Sequence, residues 1–194
     1  MKKQPDITES TIAHILDAFW ELYKERPFEK ITASAVASKA NVHRSTFYRY
    51  FTDTQNVLEK FEDDLLEKIE NDGLYNLPQF VVALKSMPSE EAMEKGDELI
   101  SNLLMKYSEK IYYLTNSRGD SKFKDKFYNW LRQQVIDATT PTPTNIEYDY
   151  IFTLIFTIMI TNSNYCYEHR TECNPKTFTT LSRRIVKNCA ELLY

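Results

Sequence analysis

The sequence has very little glycine, with three residues in 194, at Gly73, Gly96 and Gly119. Dinucleotide-binding and phosphate-binding loops need two or more glycines at short fixed spacing, and neither pattern occurs. Scarce glycine also argues against a multistranded fold with many tight turns, because such turns draw on residues with positive φ. Two common classes of nucleotide-binding motif are thereby excluded.

Cysteine and long apolar runs are also scarce. The three cysteines, Cys166, Cys173 and Cys189, lie late in the chain, and an odd number is not a disulfide framework. Few cysteines without a disulfide framework are typical of proteins in a reducing cytosol. The N-terminal residues lack the apolar region of a signal peptide. The longest apolar run, 151–160, is roughly half of what a membrane span needs, so we expect a cytoplasmic protein.

Acidic residues are missing from one short stretch. The chain has a formal net charge of −4, but residues 30–51 contain four Lys or Arg side chains and neither Asp nor Glu. Phosphate binding depends on local charge, so the charge of this stretch matters more than the net charge of the whole chain. It is either a nucleic-acid-binding segment or a chance gap in the acidic residues.

No catalytic arrangement stands out, and none of the three histidines lies near a plausible nucleophile. Cys166, His169 and Cys173 have a spacing that raises a metal or redox hypothesis, but structural zinc normally has four ligands. We interpret the three as one buried thiol and two surface side chains. We therefore expect neither an enzyme nor a metal or other cofactor.

Apolar residues at helical spacing predict an all-α protein. The first helix carries a stripe from Ile12 to Tyr23 and ends before Pro27. A longer helix is expected to start at Thr52 or Asp53, because Thr52 and Gln55 form a capping-box pattern. The remaining predicted segments are helices at about 77–87, 90–115 (continuous or broken near Tyr107), 121–138, 146–167 and 176–193, with a loop at 139–144.

Residues 32–49 have the features of a helix-turn-helix. Two short helices are predicted on either side of Asn41, and asparagine tolerates the positive φ that a tight turn requires. Val42 and Phe47 are expected to pack inward, which leaves polar and basic side chains of the second helix for DNA. The same pattern also fits a plain helical hairpin with solvated charges.

The string from Lys30 to Phe51, KITASAVASKANVHRSTFYRYF, is similar to the DNA-binding signature of the TetR/AcrR family of repressors. That signature runs roughly ITxxxIAxxAGVSRSTFYRYFxxK. The upstream amphipathic helix agrees with it, as does Val57-Leu58, where the family has a leucine pair. The resemblance implies an N-terminal three-helix DNA-binding domain followed by a C-terminal helical bundle.

The resemblance also implies how contacts with DNA are divided. Amides at the start of the first short helix and two tyrosine hydroxyls would hold phosphates. Residues early in the second helix would face base edges, and Arg44 is best suited to the O6 and N7 atoms of guanine. The expected phosphate contacts are Thr32, Ala33, Tyr48 and Tyr50, the base contacts are Arg44, Ser45 and Thr46, and Lys39, His43 and Arg49 complete the DNA-binding set.

Three positions depart from the signature. Asn41 replaces the turn glycine, which its tolerance of positive φ accommodates. His43 replaces the serine that caps the second helix, and as a poorer cap it could instead contact a base or phosphate. Thr54 replaces a lysine at the start of the next helix. We expect one phosphate contact to be lost there, which would weaken binding uniformly.

For the C-terminal part, the resemblance implies that helices 146–167 and 176–193 form a four-helix interface in a homodimer. The alternative is that both are internal core. Family members usually hold a small-molecule inducer in this bundle, where aromatic residues are candidates, although aromatic stripes are more often core. The candidate ligand-binding residues are Tyr107, Tyr112, Phe127, Trp130 and Tyr165.

We therefore expect a DNA-binding domain at 1–52 and a regulatory and dimerisation domain at 53–194, in which 53–72 is the connecting helix. The leading hypothesis is a ligand-responsive homodimeric repressor that binds a palindromic operator. The alternative is a protein with the same fold but no small-molecule switch, which acts as a coactivator or protein-interaction module. The segment 116–123 is similar to a subgroup with activator-like members, so activation stays open.

Overall fold

The computed structural model describes residues 4–72, 90–116, 121–138 and 146–191, and their regular structure is entirely helical. The predicted all-α class is confirmed. The helix predicted at 77–87 and the loop at 139–144 lie outside the described residues. The α-helices are α1 (Gln4–Glu25), α2 (Ala33–Lys39), α3 (Arg44–Tyr50), α4 (Thr54–Asn71), α5 (Glu90–Thr115), α6 (Ser121–Ala138), α7 (Ile146–Glu168) and α8 (Pro175–Glu191).

The chain divides into two compact units, Met1–Glu67 and Lys68–Tyr194. The first unit contains α1, α2 and α3 and extends through most of α4, which is the helix that we expect to connect the two domains. In the described ranges, no helix is both long and apolar enough to cross a membrane.

An aromatic cluster forms the core of the first unit. Phe19 and Tyr23 of α1 are buried, and Trp20 stacks on Phe61 of α4 with ring centroids 5.0 Å apart. Packed aromatic pairs add to the stabilisation that burial of their large apolar surfaces provides. α1 packs against α2, and α2 packs against α3. The helix-turn-helix segment is thereby attached to a rigid support.

The N-terminal cap of α4 lies one residue later than the sequence pattern predicts. The Asp53 carboxylate accepts the backbone N–H of Asn56 at 2.8 Å, and the Asn56 side chain accepts the Thr52 backbone N–H at 3.4 Å. This is a reciprocal capping arrangement. The predicted capping box of Thr52 and Gln55 is wrong, because the Gln55 side chain instead donates to Glu59 along the helix.

In the second unit, α5 packs against α6, α7 and α8, and α7 packs against α8. Of the two predicted forms of the 90–115 segment, the continuous one is observed. Tyr107 and Ser108 are both buried inside α5, and no proline occurs there to break it. A buried ion pair joins α5 to α8, with Arg183 Nε 3.0 Å from an Asp97 carboxylate oxygen.

Candidate nucleic-acid interface

The turn of the helix-turn-helix is built around Asn41, which has φ of 52° and is the one non-glycine residue with positive φ in the described ranges. The Asn41 N–H donates to the Ser38 carbonyl at 3.2 Å, and the Val42 N–H donates to the Ala37 carbonyl at 3.0 Å. These two bonds are those of a Schellman motif, which satisfies the last carbonyls of a helix. The tight turn expected at Asn41 is therefore present.

Side chains cap both short helices. The Thr32 hydroxyl accepts the Ala35 N–H at 3.2 Å at the start of α2. At the start of α3, His43 Nδ1 accepts the Ser45 N–H at 3.3 Å and lies 2.7 Å from the Ser45 hydroxyl. His43 thus does cap its helix. Since Nδ1 accepts this bond, the donor that the ring retains is Nε2–H.

The outer face of α3 has the polar and basic character that DNA contact requires. Phe47 is fully buried and anchors the helix, while Arg44, Ser45, Tyr48 and Arg49 are exposed. Val42, Thr46 and Tyr50 are half-buried. Because one side of this short helix is fixed in the core, its opposite side is presented as a rigid surface.

The two arginines of α3 are held along the helix by their neighbours. The Arg44 guanidinium donates to the Tyr48 hydroxyl at 3.3 Å and lies 5.4 Å from the centre of that ring. The Arg49 guanidinium donates to Thr46 and lies 5.3 Å from the centre of the Tyr50 ring. Such contacts are weak at an exposed site, so either guanidinium can exchange them for a base or phosphate.

The partner of Lys39 is a carboxylate, whereas Arg44 and Arg49 donate to hydroxyl groups. Its ammonium group lies 3.1 Å from the carboxylate of Glu25, and this hydrogen bond, with that of Arg26, lowers the pKa of Glu25. The pair joins the end of α1 to the end of α2 at the surface, where ion pairs contribute little stability. A phosphate contact by Lys39 would compete with this carboxylate.

The structure distributes the five aromatic ligand candidates over α5, α6 and α7. Tyr107 is buried and donates to Asp72, and burial followed by this bond raises the pKa of Tyr107. Tyr112 packs on Tyr167, and Tyr165 stacks on His169. Among the candidates, Phe127 and Trp130 pack on each other, with ring centroids 6.0 Å apart.

An open cleft of about 290 Å³ lies along the start of α8, and none of the five aromatic candidates lines it. The aromatic ligand residues therefore stay a prediction. The lining residues are Asn174, Lys176, Thr177, Thr180, Leu181 and Arg184.

The cysteine–histidine group differs from the sequence interpretation. Cys166 is buried as expected, but Cys173 is half-buried and its sulphur lies 3.0 Å from that of Cys166. His169 turns away to bond the Tyr165 carbonyl. In the part of the chain that the structure describes, no group of three or more potential ligands is arranged for a metal ion. The spacing raised a metal or redox hypothesis for these residues, but the interpretation as one buried thiol and two surface side chains did not include the sulphur contact, which depends on the turn after α7.

The geometry at residues 32–51 defines a helix-turn-helix protein of the DNA-binding class, with two capped short helices around a left-handed turn. Residues 15–61 match the family model of bacterial regulatory proteins of the tetR family. The resemblance indicated by the signature is therefore confirmed for this segment, which carries the DNA-binding domain of the tetR family.

Solved structures of such regulators share the fold over nearly the whole chain. A TetR transcriptional regulator from Streptococcus agalactiae 2603V is 20% identical, with a TM-score of 0.62 over 94% of this chain and 97% of that one. The dihydroxyacetone kinase operon activator DhaS is 16% identical, with a TM-score of 0.57 and coverage of 91% and 93%. The fatty acid degradation regulator FadR from Bacillus halodurans is 15% identical, with a TM-score of 0.57 and 96% coverage of both. A comparison with curated proteins found no match.

Proposed function

We propose that the protein is a homodimeric, ligand-responsive repressor that binds a palindromic operator through α3. The outer face of α3 carries this proposal, because Arg44, Ser45, Tyr48 and Arg49 are exposed on a helix that Phe47 anchors in the core. The helix also lies in a stretch of 22 residues, 30–51, that has no acidic side chain. An exposed, basic recognition helix on a fixed support is what major-groove binding needs.

Base readout is assigned to the start of α3 and phosphate binding to its flanks. Arg44 has a guanidinium that can donate both bonds to the O6 and N7 atoms of one guanine. The Tyr48 hydroxyl, now an acceptor for Arg44, becomes a donor to phosphate once the guanidinium turns to a base. His43 caps α3 through Nδ1, and its Nε2–H is assigned a phosphate rather than a base. The Thr32 hydroxyl serves as a helix cap, so its amide and that of Ala33 are the groups assigned to phosphate.

Selection of bound DNA from a random pool, at a stated salt concentration, tests this function. We expect an inverted repeat, because a two-fold dimer reads two equal half-sites. Recovery of unrelated sequences, with affinity no higher than for random DNA, would overturn the proposed operator binding.

The Arg44→Ala variant tests the assignment of base contacts. We expect it to cost about 1–3 kcal/mol on the selected operator and to relax preference at one base pair of each half-site. Arg170→Ala is the matched control, because Arg170 is an exposed arginine in the second unit. Fluorescence anisotropy on operators changed at each position in turn gives the readout. Equal loss on every sequence would make Arg44 a phosphate contact instead.

The direction of regulation is the part of the proposal that a promoter assay decides. One structural neighbour, DhaS, is described as an operon activator, whereas another is described as a fatty acid degradation regulator. We assign repression, by occlusion of a promoter, and expect a reporter gene behind the selected operator to be silenced when the protein is expressed. An increase in reporter expression would replace repression by activation.

The alternative without a small-molecule switch is a protein-interaction module. Exposed apolar side chains on α8, Leu181 and Ile185, are compatible with a protein partner. A thermal-shift screen of small metabolites separates the two functions, since a ligand that binds the native state raises its melting temperature. A hit that also releases operator DNA supports the switch. Absence of operator binding, together with a stoichiometric complex with a regulatory protein, would favour the module.

A further inference from the structure

The turn between α7 and α8 brings two cysteines into contact. Cys166 lies in the last turn of α7, Cys173 lies two residues before α8, and their Sγ atoms are 3.0 Å apart. Both are free thiols. The His169 carbonyl accepts the backbone N–H groups of Glu172 and Cys173 at 2.9 and 2.8 Å, which folds the chain back against the end of α7. The contact is therefore fixed by a hydrogen-bonded turn.

The two thiols have different environments. Cys166 is 2% exposed, whereas Cys173 is half-buried and is the more accessible residue of the two. Burial, followed by the contact with Cys173, raises the pKa of Cys166 to about 12. A thiol with so high a pKa keeps its proton and is a weak nucleophile. Cys173 is consequently the thiol that reacts first with a dissolved oxidant.

We propose that Cys166 and Cys173 form a reversible dithiol–disulfide pair that is oxidised by hydroperoxides. In the first step, the Cys173 thiolate attacks a peroxide oxygen and the O–O bond breaks, which yields a sulfenic acid and an alkoxide or hydroxide that takes up a proton. In the second step, the Cys166 sulphur attacks the Cys173 sulphur and the S–O bond breaks. The departing hydroxide takes the Cys166 proton and leaves as water. The thiols together lose two electrons, which reduce the peroxide.

The geometry favours this intramolecular bond over other fates of the sulfenic acid. A disulfide has an S–S length of about 2.05 Å, so the sulphur atoms need to approach by about 1 Å. Cys166 lies in the last turn of α7 and Cys173 at the end of the turn that follows, so the two sulphur atoms are already neighbours. Disulfides in reducing compartments are usually transient and redox-sensing, which is the role assigned here. The proposed disulfide between Cys166 and Cys173 does not rest on the proposed DNA-binding function.

Peptide mapping of the full-length protein tests the pair directly. Trypsin cleaves after Arg170, between the two cysteines, so Cys166 falls in peptide 133–170 and Cys173 in peptide 171–176. Cys189 falls in a third peptide, 188–194. The reduced protein is treated with hydrogen peroxide, alkylated and digested without reductant. We expect peptides 133–170 and 171–176 to be joined in a chain that still migrates as a monomer, and to separate after dithiothreitol.

Other products of the same digest would overturn the proposal. These are a link to peptide 188–194, a link that appears only in a covalent dimer, or Cys173 oxidised to sulfinic acid with Cys166 free. Unchanged thiols, under conditions that oxidise free cysteine added to the same solution, would overturn it as well.

Single cysteine variants test the order of the two steps. Without its partner, a sulfenic acid persists and can be trapped by a 1,3-dione reagent. We expect Cys166→Ser to accumulate the trapped adduct on Cys173, and Cys173→Ser to give at least about tenfold less adduct on Cys166. Equal labelling of the two variants would overturn the assigned order. Peptide mapping of the unaltered protein tests whether the Cys166–Cys173 disulfide forms, and this test does not depend on the folding of either variant.

Discussion

At the scale of single residues, the helix-turn-helix depends on a backbone conformation that few side chains accept. Asn41 has φ of 52°, and its N–H and that of Val42 close the Schellman motif at the end of α2. A β-carbon in the left-handed region costs roughly 1–2 kcal/mol, and asparagine offsets part of this cost by local hydrogen bonding. Glycine has no such cost.

We therefore expect Asn41→Gly to leave the free energy of unfolding unchanged or to raise it by up to about 1 kcal/mol, and Asn41→Val to lower it by about 1–2 kcal/mol. Urea unfolding followed by circular dichroism gives the measurement. Asn129→Gly is the matched control, because Asn129 is exposed within α6, where glycine is a poorer helix former than asparagine. Two results would contradict the role of the positive φ at Asn41. One is a higher free energy of unfolding for Asn129→Gly, and the other is a decrease for Asn41→Gly as large as that for Asn41→Val.

At the scale of helices, caps decide where an element begins. Asp53 satisfies the backbone N–H of Asn56 at 2.8 Å, and the adjacent Thr52 contributes only its own N–H to the arrangement. An aspartate cap also places a negative charge at the positive end of the helix dipole. The start of α4 therefore depends on the carboxylate and not on the threonine hydroxyl.

We expect Asp53→Ala to lower the free energy of unfolding of the first unit by about 1 kcal/mol. Thr52→Ala, at the position that the sequence pattern favoured, is the control and should change it by less than about 0.5 kcal/mol. Amide hydrogen exchange in the first turn of α4 gives a local measurement alongside urea unfolding. A larger effect from Thr52→Ala would restore the cap that the sequence predicted.

The helices themselves were predictable because their apolar spacing is a local property. The predicted segment 121–138 coincides with α6, and the left-handed turn was predicted from Asn41 alone. The cap at Asp53 was not predicted, because Thr52 and Asp53 are both suitable capping residues and only the backbone path chooses between them. The Cys166–Cys173 contact was not predicted either, since it depends on the turn made by residues 169–173. Local periodicity carries no information about such contacts.

At the scale of the whole molecule, the open question is what covers the apolar faces of α7 and α8. Phe152, Phe156 and Ile160 of α7 are buried inside the chain. On α8, however, Leu181 is 48% exposed and Ile185 is 52% exposed, four residues apart and hence on one face. Leu181 and Ile185 thus form an apolar stripe on α8 that the chain itself covers only partly. A second copy of the chain, as in the proposed homodimer, would cover it.

We expect Ile185→Lys to weaken the dimer strongly while the fold is retained. Each copy would lose the burial of the exposed half of one isoleucine, about 0.8–1.5 kcal/mol, and an isologous interface loses it twice, which raises the dimer Kd by at least about tenfold. Met105→Lys is the matched control, because Met105 is 55% exposed on α5, outside this stripe.

Sedimentation equilibrium gives the dimer Kd. An independent measure is a melting temperature that rises with protein concentration, which we expect for the unaltered chain and the control but not for Ile185→Lys. Operator affinity should fall with the dimer, because each monomer then reads a single half-site. A chain that sediments as a monomer at micromolar concentration, or equal effects of the two substitutions, would remove α8 from the interface and leave its exposed face to a different partner.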